Sequence, residues 1–119
     1  MEVTVNTVTQ ITQEVLKTES TALVESVNNF TKELPKSDIS ELALRLKTSV
    51  NGMTTYLDSS FTGTRKIDKI RSWIKLSIAL KECRDTLDLI AKLKYANTND
   101  LMVKVDNFNQ MLIARHHAQ

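Results

Sequence analysis

Glycine, proline, cysteine and aromatic residues are all scarce in this chain. Two glycines and one proline in 119 residues are too few turn formers for a β-sandwich or an alternating α/β domain. A few long helices with few connections fit that scarcity. The single cysteine, Cys83, has no partner for an internal disulfide, which fits a reducing compartment, so a cytoplasmic location is expected. No stretch approaches the ~20 apolar residues of a membrane span, and no membrane partner is expected. The opening MEVTVNTVTQ has neither the basic start nor the apolar core of a secretory signal.

The chain does carry ordinary globular proportions, 41% hydrophobic and 25% charged, in a length that suits one domain with its own core. Net charge is +2 and unevenly placed. Residues 1–62 hold five basic and eight acidic side chains, and residues 63–119 hold eleven and six. This tilt permits polyanion binding without indicating it.

Apolar residues recur at steps of three and four along most of the chain. Val8, Ile11, Val15, Leu16, Leu23, Val27, Phe30 and Leu34 mark a first helix over about 7–33. The valine alternation before it reads as a strand, but no partner strand follows, so it is taken as a lead-in. Pro35 ends this helix. Ser37 or Asp38 can cap the next, with Asp38 and Glu41 at capping-box spacing.

The second helix, about 38–61, carries Ile39, Leu42, Leu46, Val50, Met53, Leu57 and Phe61. This stripe runs through Asn51-Gly52 without losing phase. That dipeptide is the strongest short hairpin signal, yet no alternating strands flank it. Gly52 is therefore expected inside a helix, at a cost of about 1 kcal/mol against alanine, where it can admit another helix backbone. The turn is expected at SSFTGT, with Gly63 at positive φ and Thr62 or Thr64 as a cap. A phosphate loop is excluded, because one glycine precedes the lysine and no strand leads in.

The third helix, about 65–94, has two apolar stripes. Trp73, Leu76, Leu80, Cys83, Leu87 and Ile90 form one. Ile67, Ile70, Ile74 and Ile78, resuming at Leu89 and Leu93, form the other. A corner helix in a four-helix bundle needs one broad apolar face, so the second is read as a subunit interface. A fourth helix, about 98–115, buries Leu101, Val105, Phe108 and Leu112, widened by Met111. Asn97 or Thr98 caps it, and Asp100 suits its first turn. The expected fold is all-α, an up-down-up-down antiparallel four-helix bundle.

No constellation here carries catalysis. His116 and His117 are adjacent, about 100° apart on a helix, and chelate poorly together. The Glu-x-x-His pairs of di-iron bundles and the H-E-x-x-H motif are absent. Cys83 lies within an apolar stripe, where a structural thiol is expected. Glu82, beside that stripe, is either a surface carboxylate or an ion-pair partner at a helix contact. No enzyme activity and no cofactor are expected. Arg65, Lys66, Lys69, Arg71 and Lys75 crowd the start of the third helix. Basic residues there oppose the helix dipole, a small cost suggesting that they serve something. Nucleic acid is the candidate partner, although interleaved aromatic rings are missing.

Leu34-Pro35-Lys36 stands where the 23S rRNA intervening-sequence proteins have Phe-Pro-Lys before their second helix. The leucine-rich helix that follows ends in Gly52-Met53-Thr54-Thr55-Tyr56-Leu57-Asp58-Ser59-Ser60, in place of a Ser-Ile-x-x-Asn-Ile-Ala-Glu-Gly signature. Met53 and Leu57 keep its apolar phase. Glu82, Leu87, Leu93 and Tyr95 match the glutamate, leucines and closing Leu-Gly-Tyr of that family's third helix, with Lys94 in the glycine's place. Over about residues 30–112 the chain thus resembles this four-helix-bundle family, which is distantly related to accessory proteins of diversity-generating retroelements. The resemblance implies a homo-oligomer, often a ring of five, mostly without known activity. Its retroelement relatives look like basic oligomers that hold nucleic acid and a reverse transcriptase. Two expectations follow: a non-enzymatic binding or scaffold module with a nucleic-acid or protein partner, or an RNA- or DNA-binding accessory protein.

Overall fold

The first helix begins later than its apolar pattern suggests. In the computed structural model, which describes residues 12–34 and 40–118, α1 spans Gln13–Lys32. Thr12 is extended (φ −95°, ψ 169°) and its Oγ1 accepts a hydrogen bond from the Val15 N–H at 3.2 Å. A threonine side chain that satisfies a free N–H in the first turn starts a helix more firmly than valines at the right spacing. Val8 and Ile11, together with Pro35 and the caps Ser37 and Asp38, lie outside the described residues. The buried stripe is also narrower than expected. Leu16, Ser20, Leu23, Val27, Thr31 and Leu34 face the core, while Val15 is 39% exposed. Ser20 is tolerated inside because its hydroxyl pairs with that of Thr54, 3.1 Å away on the neighbouring rod.

Next come α2 (Ser40–Asn51) and α3 (Met53–Thr62). They form one rod. Gly52 has helical dihedrals (φ −85°, ψ −13°), and its carbonyl accepts from the Tyr56 N–H at 3.0 Å. Val50, Met53 and Leu57 on either side of it are all buried. The glycine makes room, but for a ring of its own rod, not for another backbone as the sequence suggested. A Cβ at Gly52 would stand 2.9 Å from Cε2 of Tyr56, so the bare glycine lets that ring lie back against the preceding turn.

The turn after α3 also differs from expectation. Gly63 is extended (φ −54°, ψ 140°) rather than left-handed. Thr62 ends α3, its hydroxyl donating to the Asp58 carbonyl, and Thr64 does not cap. Helix α4, Lys66–Lys92, starts from Arg65 as its N-cap residue, with no side-chain capping bond. Arg65 instead pairs with Asp68 in the first turn, at 2.9 and 3.1 Å.

Helix α4 closes in a Schellman motif. The N–H of Lys94 donates to the Ala91 carbonyl, and that of Tyr95 to the Ile90 carbonyl. Lys94 takes the left-handed conformation this requires (φ 61°), a position where a Cβ is costly. Lys94→Gly is therefore expected to stabilise the protein by about 0.5–1 kcal/mol, the strain relieved being partly offset by the freer unfolded chain. Urea denaturation checks it, and an unchanged or lower midpoint refutes it.

Helix α5 spans Asn99–Ala118. Of its two candidate caps Asn97 acts, its Oδ1 accepting from the Asn99 N–H at 2.9 Å, while Thr98 is buried. Leu101, Val105, Phe108 and Leu112 are buried, and Met111 packs at their edge.

The described chain is thus all-helical: four rods, with no strand among the described residues. Both α1 and α4 pack against the α2–α3 rod and against α5, and α1 and α4 make no close backbone approach to one another. One core fills the space between, with Leu76, Leu80, Cys83, Leu87 and Ile90 supplying the α4 side.

Candidate functional site

Helix α4 presents its core stripe to three other helices, and none of the other described helices covers its second stripe. Ile67, Ile70, Ile74 and Ile78 are 46%, 44%, 50% and 58% exposed. At about 100° per residue these four fall within one narrow sector, opposite Leu76, Leu80 and Cys83. Single exposed apolar residues are ordinary, whereas a row of them is a candidate contact surface. Leu89 and Leu93 are also exposed, but they do not simply continue the row. Lys81 and Asp85, paired at 2.9 Å, fall between them and Ile78.

The structure divides the basic cluster. By helical phase Arg71 and Lys75 flank the isoleucine row on one side and Lys66 on the other. Arg65 is held by Asp68. Lys69 turns toward the α3–α4 connection, where its Cγ lies 3.2 Å from the position a Gly63 Cβ would occupy. Lys75 sits over the Tyr56 ring, 5.9 Å from its centroid. Among the described residues Lys66, Lys69, Arg71 and Lys75 make no ion pair, so the uncompensated cations and the uncovered isoleucines share the first turns of one helix. Farther along, charge is used internally. Arg84 Nε donates to Asp106 Oδ1 at 2.8 Å, tying α4 to α5, and Lys92 pairs with Asp88. These exposed pairs position side chains and contribute little stability. The partner carboxylates hold the Arg84 and Lys81 cations above their usual ranges, chiefly by hydrogen bonding.

A second feature was not legible in the sequence. Beside Ile78 an open groove of about 550 Å³ runs between α4 and the α2–α3 rod, lined among others by Leu44, Arg45, Tyr56, Lys75 and Glu82. Leu44, 64% exposed, falls outside the Ile39–Phe61 phase, and that off-phase leucine was the available signal. Glu82 is exposed and makes no ion pair among the described residues, which favours the surface reading over the paired one.

Cys83 is fully buried. Desolvation pushes its thiol from 9.0 up to about 12, opposed by a hydrogen bond with Ser49. A thiolate-specific reagent at pH 8 is accordingly expected to label the native chain about a thousandfold more slowly than the unfolded one. Equal rates would show the sulfur to be accessible. The sign of the linkage follows from the raised value. Below about pH 9 both states hold the proton and the contribution to stability is complete. Between there and about 12 the unfolded state loses its proton first, so this contribution falls as pH rises.

Among the described residues no three His, Cys, Asp or Glu side chains gather where a metal ion could be held, and no helix is long and apolar enough to cross a membrane. His116 and His117 lie on the last turns of α5, beyond the described side chains. Comparison of the chain with protein-family models, curated proteins and solved structures finds no match.

Proposed function

We propose that this protein is a non-enzymatic binding or scaffold module that self-associates through the outer face of α4. Its four rods alternate in direction as an antiparallel bundle, a reading supported by the short connections at 63–65 and 93–98 and by the cross-links Ser20–Thr54 and Arg84–Asp106. The observation that carries self-association is the row Ile67, Ile70, Ile74 and Ile78 on the side of α4 away from the core. Fully burying an isoleucine side chain is worth roughly 1.5–3 kcal/mol, so covering four that are already half buried supplies several kcal/mol toward association. A homo-oligomer, with the ring of five among its forms, also agrees with the resemblance to the intervening-sequence proteins.

Light scattering at micromolar concentration tests this. A mass that is a multiple of 13.5 kDa is expected, and a monomer at every concentration overturns it. A second reading, RNA or DNA binding, is favoured by the unpaired cations Lys66, Lys69, Arg71 and Lys75, with Arg65 at their edge. Phosphate contacts are strongest at low salt. Protein purified in low salt without nucleic-acid absorbance at 260 nm, and without retention of added RNA or DNA, ends that reading.

A further inference from the structure

The groove beside Ile78 has the dimensions of a helix seat. Its α4 wall runs from Lys75 to Glu82, about 10 Å at ~1.5 Å per residue or two turns of a docked helix, and Leu44, Arg45, Thr48, Ser49 and the Tyr56 ring line the α2–α3 side. Leu44, Tyr56, Ile78 and Ala79 give it an apolar floor, and Leu44 and Ile78 are its most exposed members, at 64% and 58%. Small-molecule pockets enclose roughly 70–90% of their ligand's surface, which an open trough does not. A helix laid lengthwise covers such a floor with residues spaced i, i+3, i+4 and i+7.

The rims decide what kind of helix. Arg45 stands on the α2 side and Lys75 on the α4 side, neither in an ion pair among the described residues, and Arg71 extends the cationic edge by one turn. Glu82 is the acid on the lining, about two turns along α4 from Lys75, and leaves a net positive surround. The isoleucine row of a second copy, flanked by Lys66, Arg71 and Lys75, offers no acid to Arg45 and Lys75 of the groove.

We propose that this groove docks an amphipathic helix of a different protein, one whose apolar stripe is flanked by aspartate and glutamate. The inference rests on the binding-module reading; the groove shares Ile78 with the self-association row and adds Leu44 and Arg45 of α2, which that row does not include.

The test uses two labelled synthetic peptides of about 18 residues, long enough to hold a helix. Both carry the same leucine stripe, one with glutamate flanks and one with lysine flanks. Fluorescence anisotropy against the full chain is expected to show the glutamate peptide binding at least about tenfold more tightly, with the difference shrinking as salt rises. Leu44→Asp and, separately, Arg45→Glu are each expected to weaken that peptide about tenfold while light-scattering mass and helical circular dichroism stay unchanged. Both residues are exposed, so neither change removes a core contact. Equal binding of the two peptides, or glutamate-peptide binding indifferent to both substitutions, overturns the proposal. So does binding of phosphatidylglycerol vesicles without preference for the glutamate peptide, which assigns the surface to lipid. The double variant Ile70→Asp with Ile74→Asp separates the two readings. Peptide binding that persists in a chain unable to associate supports the groove whatever the fate of the oligomer.

Discussion

Replacing Ile70 and Ile74 together by aspartate is expected to give a folded monomer of 13.5 kDa at concentrations where the unaltered chain associates. Both side chains are about half exposed within the single chain, so the bundle loses little by their removal. An interface that buries them loses much more. Two carboxylates taken out of water against an apolar surface cost several kcal/mol, which Lys66 and Arg71 beside the row offset only in part. That corresponds to a weakening of association by more than about a hundredfold. Helical circular dichroism is expected to stay the same. If the double variant keeps the oligomeric mass of the unaltered protein, the α4 row is not the interface. If it unfolds, the row belongs to the single chain's core, contrary to its exposure in the structure.

The largest effect on folding is expected from the other side of the same helix. Leu87 is fully buried, between Cys83 and Ile90 on the core stripe. Leu87→Ala removes its side-chain carbons from a packed site and leaves a cavity that the surrounding helices close only in part. Such substitutions cost about 2–5 kcal/mol, a large fraction of the ~5–15 kcal/mol that holds a domain of this kind together. Urea denaturation is expected to show the midpoint falling by on the order of 1 M or more with little change in slope. Ile78→Ala, nine residues earlier and more than half exposed, is the control and is expected to shift the monomer's stability by no more than about 0.5 kcal/mol. Similar losses for both would mean that α4 buries both faces within one chain.

Periodicity over long stretches was the readable part of this fold. Leu46, Val50, Met53 and Leu57 keep step through Asn51-Gly52, and the backbone does run on through them. Helix ends were harder to read, because they depend on single hydrogen bonds between neighbours. Thr12 claims the Val15 N–H and starts α1 well after the valine pattern begins. Arg65, rather than a threonine, stands at the start of α4, and Lys94, rather than a glycine, takes the left-handed position at its end. The groove was the least readable feature. It requires Leu44 of one rod and Ile78 of another to come together, and no local spacing encodes that approach.

By itself, then, the order of residues determined that this chain is helical and that α4 carries apolar side chains on two sides. Side-chain direction along a helix repeats every 3.6 residues whatever surrounds it. Only tertiary packing decided which of the two sides the core takes. Leu76, Leu80, Cys83, Leu87 and Ile90 meet α2, α3 and α5, while Ile67, Ile70, Ile74 and Ile78 are left facing outward. The reason is geometric: a helix with two neighbours beside it covers the sector between them, and a stripe on its far side meets none of the other described helices.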